Sequence, residues 1–133
     1  MIYLTLLLTA IFLILSAIHI YWALGGEAGK VAAIPVKDNG QRSFSPSKTG
    51  TLAVAVALFC FAVLLFCIGV QSVTVLRPLG WLLALVLFLR AIGDFKLVGF
   101  FKRPSASVFA KNDSRFYSPL CLFLAAGVLY ISF

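Results

Sequence analysis

Charge is scarce in this chain, and negative charge is scarcer still: 11 Lys or Arg and 4 Asp or Glu among 133 residues, with one His. So little charge excludes a disordered chain, which needs high charge and low hydrophobicity. Cysteine is sparse too. Cys60 and Cys67 lie seven positions apart, too far for a disulfide within one helix, and Cys121 stands alone. With no CxxC pair and no zinc spacing, all three read as small apolar residues, and a disulfide-stapled secreted domain is excluded. Alternation of apolar and polar residues at period two is missing, which argues against membrane strands.

What the chain has in excess is hydrophobicity. Apolar residues make up 62% of it, against roughly 45–50% in an ordinary soluble domain even with glycine included. One domain of this length has too little interior to hide that surface from water. A typical soluble enzyme is therefore excluded, and lipid is the expected solvent. A helix rises about 1.5 Å per residue and a bilayer core is about 30 Å thick, so roughly 20 apolar residues span it. Four runs meet that length, at about 2–24, 51–75, 78–101 and 117–133. Pro78 opens the third where its missing donor would be orphaned anyway, and Pro119 sits in the first turn of the fourth. The expected fold is all-α, a single domain over 1–133 forming an antiparallel bundle of four transmembrane helices. The first run lacks the basic start and cleavage site of a signal peptide and reads as a retained helix. Leu76 and Arg77 leave almost no loop between the second and third helices, which predicts antiparallel neighbours.

The cations predict an orientation. Nine of the eleven lie in or beside the first and third loops: Lys30, Lys37, Arg42, Lys48, Lys96, Lys102, Arg103, Lys111 and Arg115. The opposite side has Arg77 alone. By the positive-inside rule both long loops face the cytoplasm and both termini lie on the non-cytoplasmic side. The basic residues flank membrane helices without any nucleic-acid reading motif, so membrane lipids are the expected partners and nucleic acid is not.

A charge at mid-helix in a bilayer costs at least about 2.5 kcal/mol, so each one requires a reason. Measured from Pro78, Arg90 lies about 18 Å and Asp94 about 24 Å into the third helix; His19 lies about 26 Å into the first. These depths predict one polar layer at the cytoplasmic end. Arg90 and Asp94 share a helix face at a spacing of four. Their order opposes the helix dipole, so Asp94 is expected to need a second partner from another helix. His19 is at the right height, with Trp22, Asp113 and Tyr117 in the same layer. The competing reading is a buried ion pair that only fixes helix register. Tyr21, Trp22, Trp81, Tyr117 and Tyr130 fall near helix ends as an aromatic belt. Gly80 with Ala84, or Ala53 with Ala57, are small residues four apart that permit close helix packing.

Three stretches carry a family resemblance together. They are His19-Ile20-Tyr21-Trp22-Ala23-Leu24-Gly25-Gly26, then Leu89-Arg90-Ala91-Ile92-Gly93-Asp94-Phe95, and Tyr117-Ser118-Pro119-Leu120-Cys121-Leu122. With these motifs the chain resembles the bacterial domain-of-unknown-function family 3995, small integral membrane proteins with four helices. The resemblance implies a multi-pass protein of the bacterial cytoplasmic membrane, and it implies no activity.

The leading functional expectation is a lipid or small amphipathic, anionic ligand bound in a cytoplasm-facing pocket. His19, Arg90 and Asp94 would form its polar floor, Trp22 and Phe95 its apolar walls, with Asp113 and Tyr117 beside them. A guanidinium fork at Arg90 would suit phosphate or carboxylate. No metal-ligand cluster or nucleophile motif is legible, and no cofactor is implied. Three other classes stay open: proton-coupled transport through His19 and Asp94, lipid modification by a His–Asp pair, and an accessory role in a homodimer or larger membrane complex.

Overall fold

A computed structural model of the chain describes residues 1–35, 37, 39, 41, 47–93, 99, 101–102 and 108–133. Among them there is no strand. Helix α1 spans Ile2–Ala23, α2 Lys48–Gly69, α3 Arg77–Ile92, α4 Val108–Asn112 and α5 Ser118–Ser132. Four stretches are long and apolar enough to cross a membrane: Ile2–Ala23, Lys48–Gly69, Thr74–Ile92 and Phe109–Ser132. Their outer faces expose Leu, Ile, Val and Phe along their length, for example Leu7, Ile14, Val56, Phe59, Leu82 and Phe88. Such contiguous apolar surface is unfavourable in water and suits acyl chains.

Several boundaries differ from those expected. The third helix stops at Ile92 rather than near residue 101, because Gly93 takes φ +87°, ψ −168°, a conformation that side-chain-bearing residues rarely adopt. Asp94, Phe95 and Lys96, placed on that helix by sequence, lie outside the described residues. The second helix begins at Lys48, capped by the Ser47 hydroxyl accepting from Gly50 N–H at 2.9 Å, and it ends at Gly69 rather than near 75. The fourth run starts at Val108, before the expected 117, and passes into α5 through a widened π turn over Asp113–Tyr117. Pro119 lacks an N–H, and in a regular helix its ring would clash with the carbonyl of Arg115, four residues earlier. The wide turn, with Ser118 N–H bonded back to the Asp113 carbonyl, carries the chain past that clash.

The helices associate mainly as two pairs, α1 with α2 and α3 with α5. Although α2 and α3 share a short connection, their mutual packing is slight. Small residues explain the choice, because lipid-embedded helices gain from close approach rather than from hiding apolar area. On α2, Ala55, Ala62 and Gly69 are spaced by seven and line one face, and any Cβ at Gly69 would collide with Thr5 of α1. Further along that pair, Ser16 Oγ donates to the Ala55 carbonyl at 2.7 Å. On α5, Ser118, Ala125 and Ser132 are spaced by seven and buried. Gly80 of α3 meets the Ser132 side chain directly, and Ala84 is buried one turn on. Ala53, by contrast, is exposed. Leu8, Phe12, Leu65, Leu124, Val128 and Ile131 fill the centre where the pairs meet.

Candidate functional site

Two polar features stand where the helix ends and loops converge. The first is built around Asp113, whose side chain is fully buried. Its Oδ1 accepts from Arg90 Nη2 at 2.7 Å. Its Oδ2 accepts from Gly99 N–H at 2.6 Å and lies 3.1 Å from Lys102 Nζ. Lys102 also donates to the Gly99 carbonyl at 2.9 Å and to Ser114 Oγ at 2.5 Å, so all three of its N–H groups are engaged. Gly99, with φ +86°, approaches the end of α3 so closely that a Cβ there would strike the Ile92 carbonyl and Gly93 Cα. One carboxylate thus ties the end of α3, the following loop and the π turn together. Among the described residues two cations face this one anion, and Arg90 Nη1 is buried without a hydrogen-bond partner there.

The second feature is a half-open pocket of about 450 Å³ between the last turn of α1, the first turns of α2 and the segment after residue 30. His19, Trp22, Lys30, Ile34, Thr51 and Val54 are among its lining residues, and the walls are mostly apolar. His19 Nδ1 lies 2.7 Å from the Leu15 carbonyl. A carbonyl can only accept, so Nδ1 carries the proton and Nε2 is the acceptor in the neutral ring. The imidazole stands edge-on to the Trp22 ring at 5.0 Å between centroids, and Trp22 Nε1 donates to the Ala28 carbonyl at 2.8 Å. Lys30 is 3.8 Å from the exposed Glu27, a weak pairing that leaves most of its donor capacity free. Thr51 is buried and donates to the Ser47 carbonyl at 2.9 Å.

Tyr117 joins the two features. Its hydroxyl donates to the Ala32 carbonyl at 3.2 Å, its ring lies against Phe109 at 5.9 Å, and the neighbouring Ala33 lines the pocket. The residues singled out from sequence therefore divide. Arg90 and Asp113 meet, His19 and Trp22 meet, and Tyr117 bridges the groups, whereas neither Arg90 nor Asp113 lines the pocket. Asp94 and Phe95 lie outside the described residues. Sequence reasoning did not find Lys102 and Gly99 as Asp113's partners, nor Lys30, Ile34, Thr51 and Val54 as pocket lining. The unfavourable dipole order of Arg90 and Asp94 pointed to a further partner for Asp94, which lies outside the described residues, and no sequence signal pointed to the bond between Arg90 and Asp113. Among the described residues no group of three or more His, Cys, Asp or Glu could hold a metal ion.

Four membrane-length helices with lipid-suited outer faces and a polar end define a small multi-pass membrane protein. Within that class the chain belongs to the family described as "Protein of unknown function (DUF3995)", whose model matches residues 12–128. No curated protein and no solved structure matches the chain.

Proposed function

We propose that this protein binds a lipid or small amphipathic molecule in the pocket lined by His19 and Trp22. The observation that carries the reading is the pocket itself. Its volume of about 450 Å³ falls within the roughly 300–1,000 Å³ of small-molecule sites, and apolar walls with a few polar groups are the pattern of such sites. Trp22, Ile34 and Val54 would take the apolar part, and Lys30 with His19 the polar part. In this reading Arg90, Asp113 and Tyr117 are supports. They hold the third loop and the fourth span against the segment that forms one wall.

The protein sits in the bacterial cytoplasmic membrane as an antiparallel bundle, with the pocket at the cytoplasmic end and both termini outside. The cation distribution supports that orientation. The pairings of Thr5 with Gly69 and Ser16 with Ala55 support opposed directions for α1 and α2. Membrane lipids are then both the solvent and the source of the bound molecule. Native mass spectrometry of protein released from mild detergent tests the reading. A co-purifying amphiphile should be present in the wild type, lost in Val54→Trp, which fills the pocket, and kept in Arg90→Met. Equal retention by Val54→Trp would reject the pocket as its seat.

A further inference from the structure

The polar groups around the pocket are unevenly matched, and the mismatch specifies a head group. Trp22 Nε1 is consumed by the Ala28 carbonyl and the Thr51 hydroxyl proton by the Ser47 carbonyl. Among the described lining residues one cation, one acceptor and the proton of the Ser47 hydroxyl, which itself accepts from Gly50 N–H, remain. Lys30 offers charge, its exposed partner Glu27 being 3.8 Å away. His19 offers a lone pair at Nε2, because the Leu15 carbonyl fixes the proton on Nδ1. The start of α2, which borders the pocket at Gly50 and Thr51, has no acidic residue in its first turn, so its partial positive charge is not neutralised there. No Asp or Glu is among the described lining residues. Among the described lining residues a cationic head would find Lys30 and no carboxylate, and a wholly anionic head would leave the imidazole lone pair unused.

Resting on the amphiphile-binding reading above, we infer that the pocket selects a single-chain phospholipid whose phosphate is adjacent to a free hydroxyl. The phosphate faces Lys30 and the start of α2, the hydroxyl donates to His19 Nε2, and the chain lies over Val54, Trp22 and Ile34. One chain suits a volume of about 450 Å³, at the lower end of ligand-site volumes.

The experiment compares probes on the purified full chain in neutral detergent, by native mass spectrometry with titration. Lauroyl lysophosphatidic acid carries both groups, dodecyl phosphate lacks the hydroxyl, monolauroyl glycerol lacks the charge, and dodecyltrimethylammonium reverses it. The first should bind best, with dodecyl phosphate about fivefold weaker for one neutral hydrogen bond and monolauroyl glycerol at least about tenfold weaker for a charge-assisted one. His19→Phe keeps an aromatic ring beside Trp22 but has no acceptor, so it should erase the gap between the two phosphates. His19→Gln, whose amide oxygen accepts, should restore part of it. Lys30→Met should erase the gap between lysophosphatidic acid and monolauroyl glycerol. Glycerol phosphate, the head without a chain, should give no adduct; binding as tight as that of the chain-bearing probe would assign the site to a soluble phosphate and overturn the lipid half of the inference. Equal binding of all four single-chain probes, lost in Val54→Trp, would overturn the head-group selection and leave the amphiphile pocket standing. Binding of none of them, or equal binding by wild type and Val54→Trp, would overturn both.

Discussion

Replacing Asp113 removes a buried carboxylate that two cations and a backbone N–H share. In Asp113→Ala, Arg90 Nη2 loses its acceptor at 2.7 Å, Gly99 N–H loses one at 2.6 Å, and Lys102 Nζ loses its counter-ion at 3.1 Å. Removing one partner of a buried ion pair destabilises by about 3–5 kcal/mol, mostly because the remaining charge is stranded. Two features of this site reduce the figure. The Arg90 side chain is 32% exposed, so solvent screens part of its charge. Lys102 keeps its bonds to the Gly99 carbonyl and Ser114 Oγ. A loss of about 3 kcal/mol, the lower end of the range, is expected. The assay is reversible unfolding in mixed dodecyl maltoside–SDS micelles, followed by Trp22 and Trp81 fluorescence. A control separates the pairing from the volume lost. Asp113→Leu combined with Arg90→Met and Lys102→Met removes these three charges at once and should recover to within about 1 kcal/mol of wild type, because a buried pair gains little over apolar side chains of similar size. Asp113→Ala losing less than about 1 kcal/mol, or the triple variant being as unstable as the single, would refute this account of the cluster.

Three further outcomes follow from the same geometry. Gly99→Ala combines φ +86° with a Cβ aimed at the Ile92 carbonyl, and should cost about 1–3 kcal/mol in the same unfolding assay, since the obstructing atoms are backbone. Ser16→Ala removes only the 2.7 Å bond to the Ala55 carbonyl, an oxygen that α2 can still use internally. It should cost about 0.6 kcal/mol, the average for interhelical hydrogen bonds in membranes. For orientation, alkaline phosphatase fused after Phe133 should be active and a fluorescent protein fused there dark, while a cysteine at Lys111 in a background without Cys60, Cys67 and Cys121 should be shielded from a membrane-impermeant maleimide in intact cells.

The expected polar layer and the observed one differ in an instructive way. Depth along a helix can be counted from the chain, and His19 lies near the end of α1 at Ala23, as that count predicts; Arg90, counted inside a helix running to residue 101, lies in the last turn of α3 because Gly93 ends that helix at Ile92. Azimuth cannot be counted as easily, because these helices are apolar all round and no amphipathic stripe marks the inward face. The inward faces are marked instead by small and hydroxyl residues, Thr5 and Ser16 on α1 and Ser118 and Ser132 on α5. Those residues show which face is buried without naming the helix that buries it. For the same reason the short turn between α2 and α3, which makes them neighbours along the chain, does not reveal that each packs more closely on another helix.

The number and approximate position of the membrane spans were decided by the chain alone. Whether about 20 consecutive residues are apolar enough to cross a bilayer is a local sum, with each backbone hydrogen bond satisfied inside its own helix. The pairing of Arg90 with Asp113 was decided only in three dimensions. Asp113 lies 23 residues away, and it reaches the guanidinium because Gly93 and Gly99 turn the chain back and the π turn before Pro119 carries the carboxylate inward. The pocket belongs to the same category. It exists where α1, α2 and the segment after residue 30 fail to close on one another, and a gap between elements is a property of their packing rather than of any one stretch of sequence.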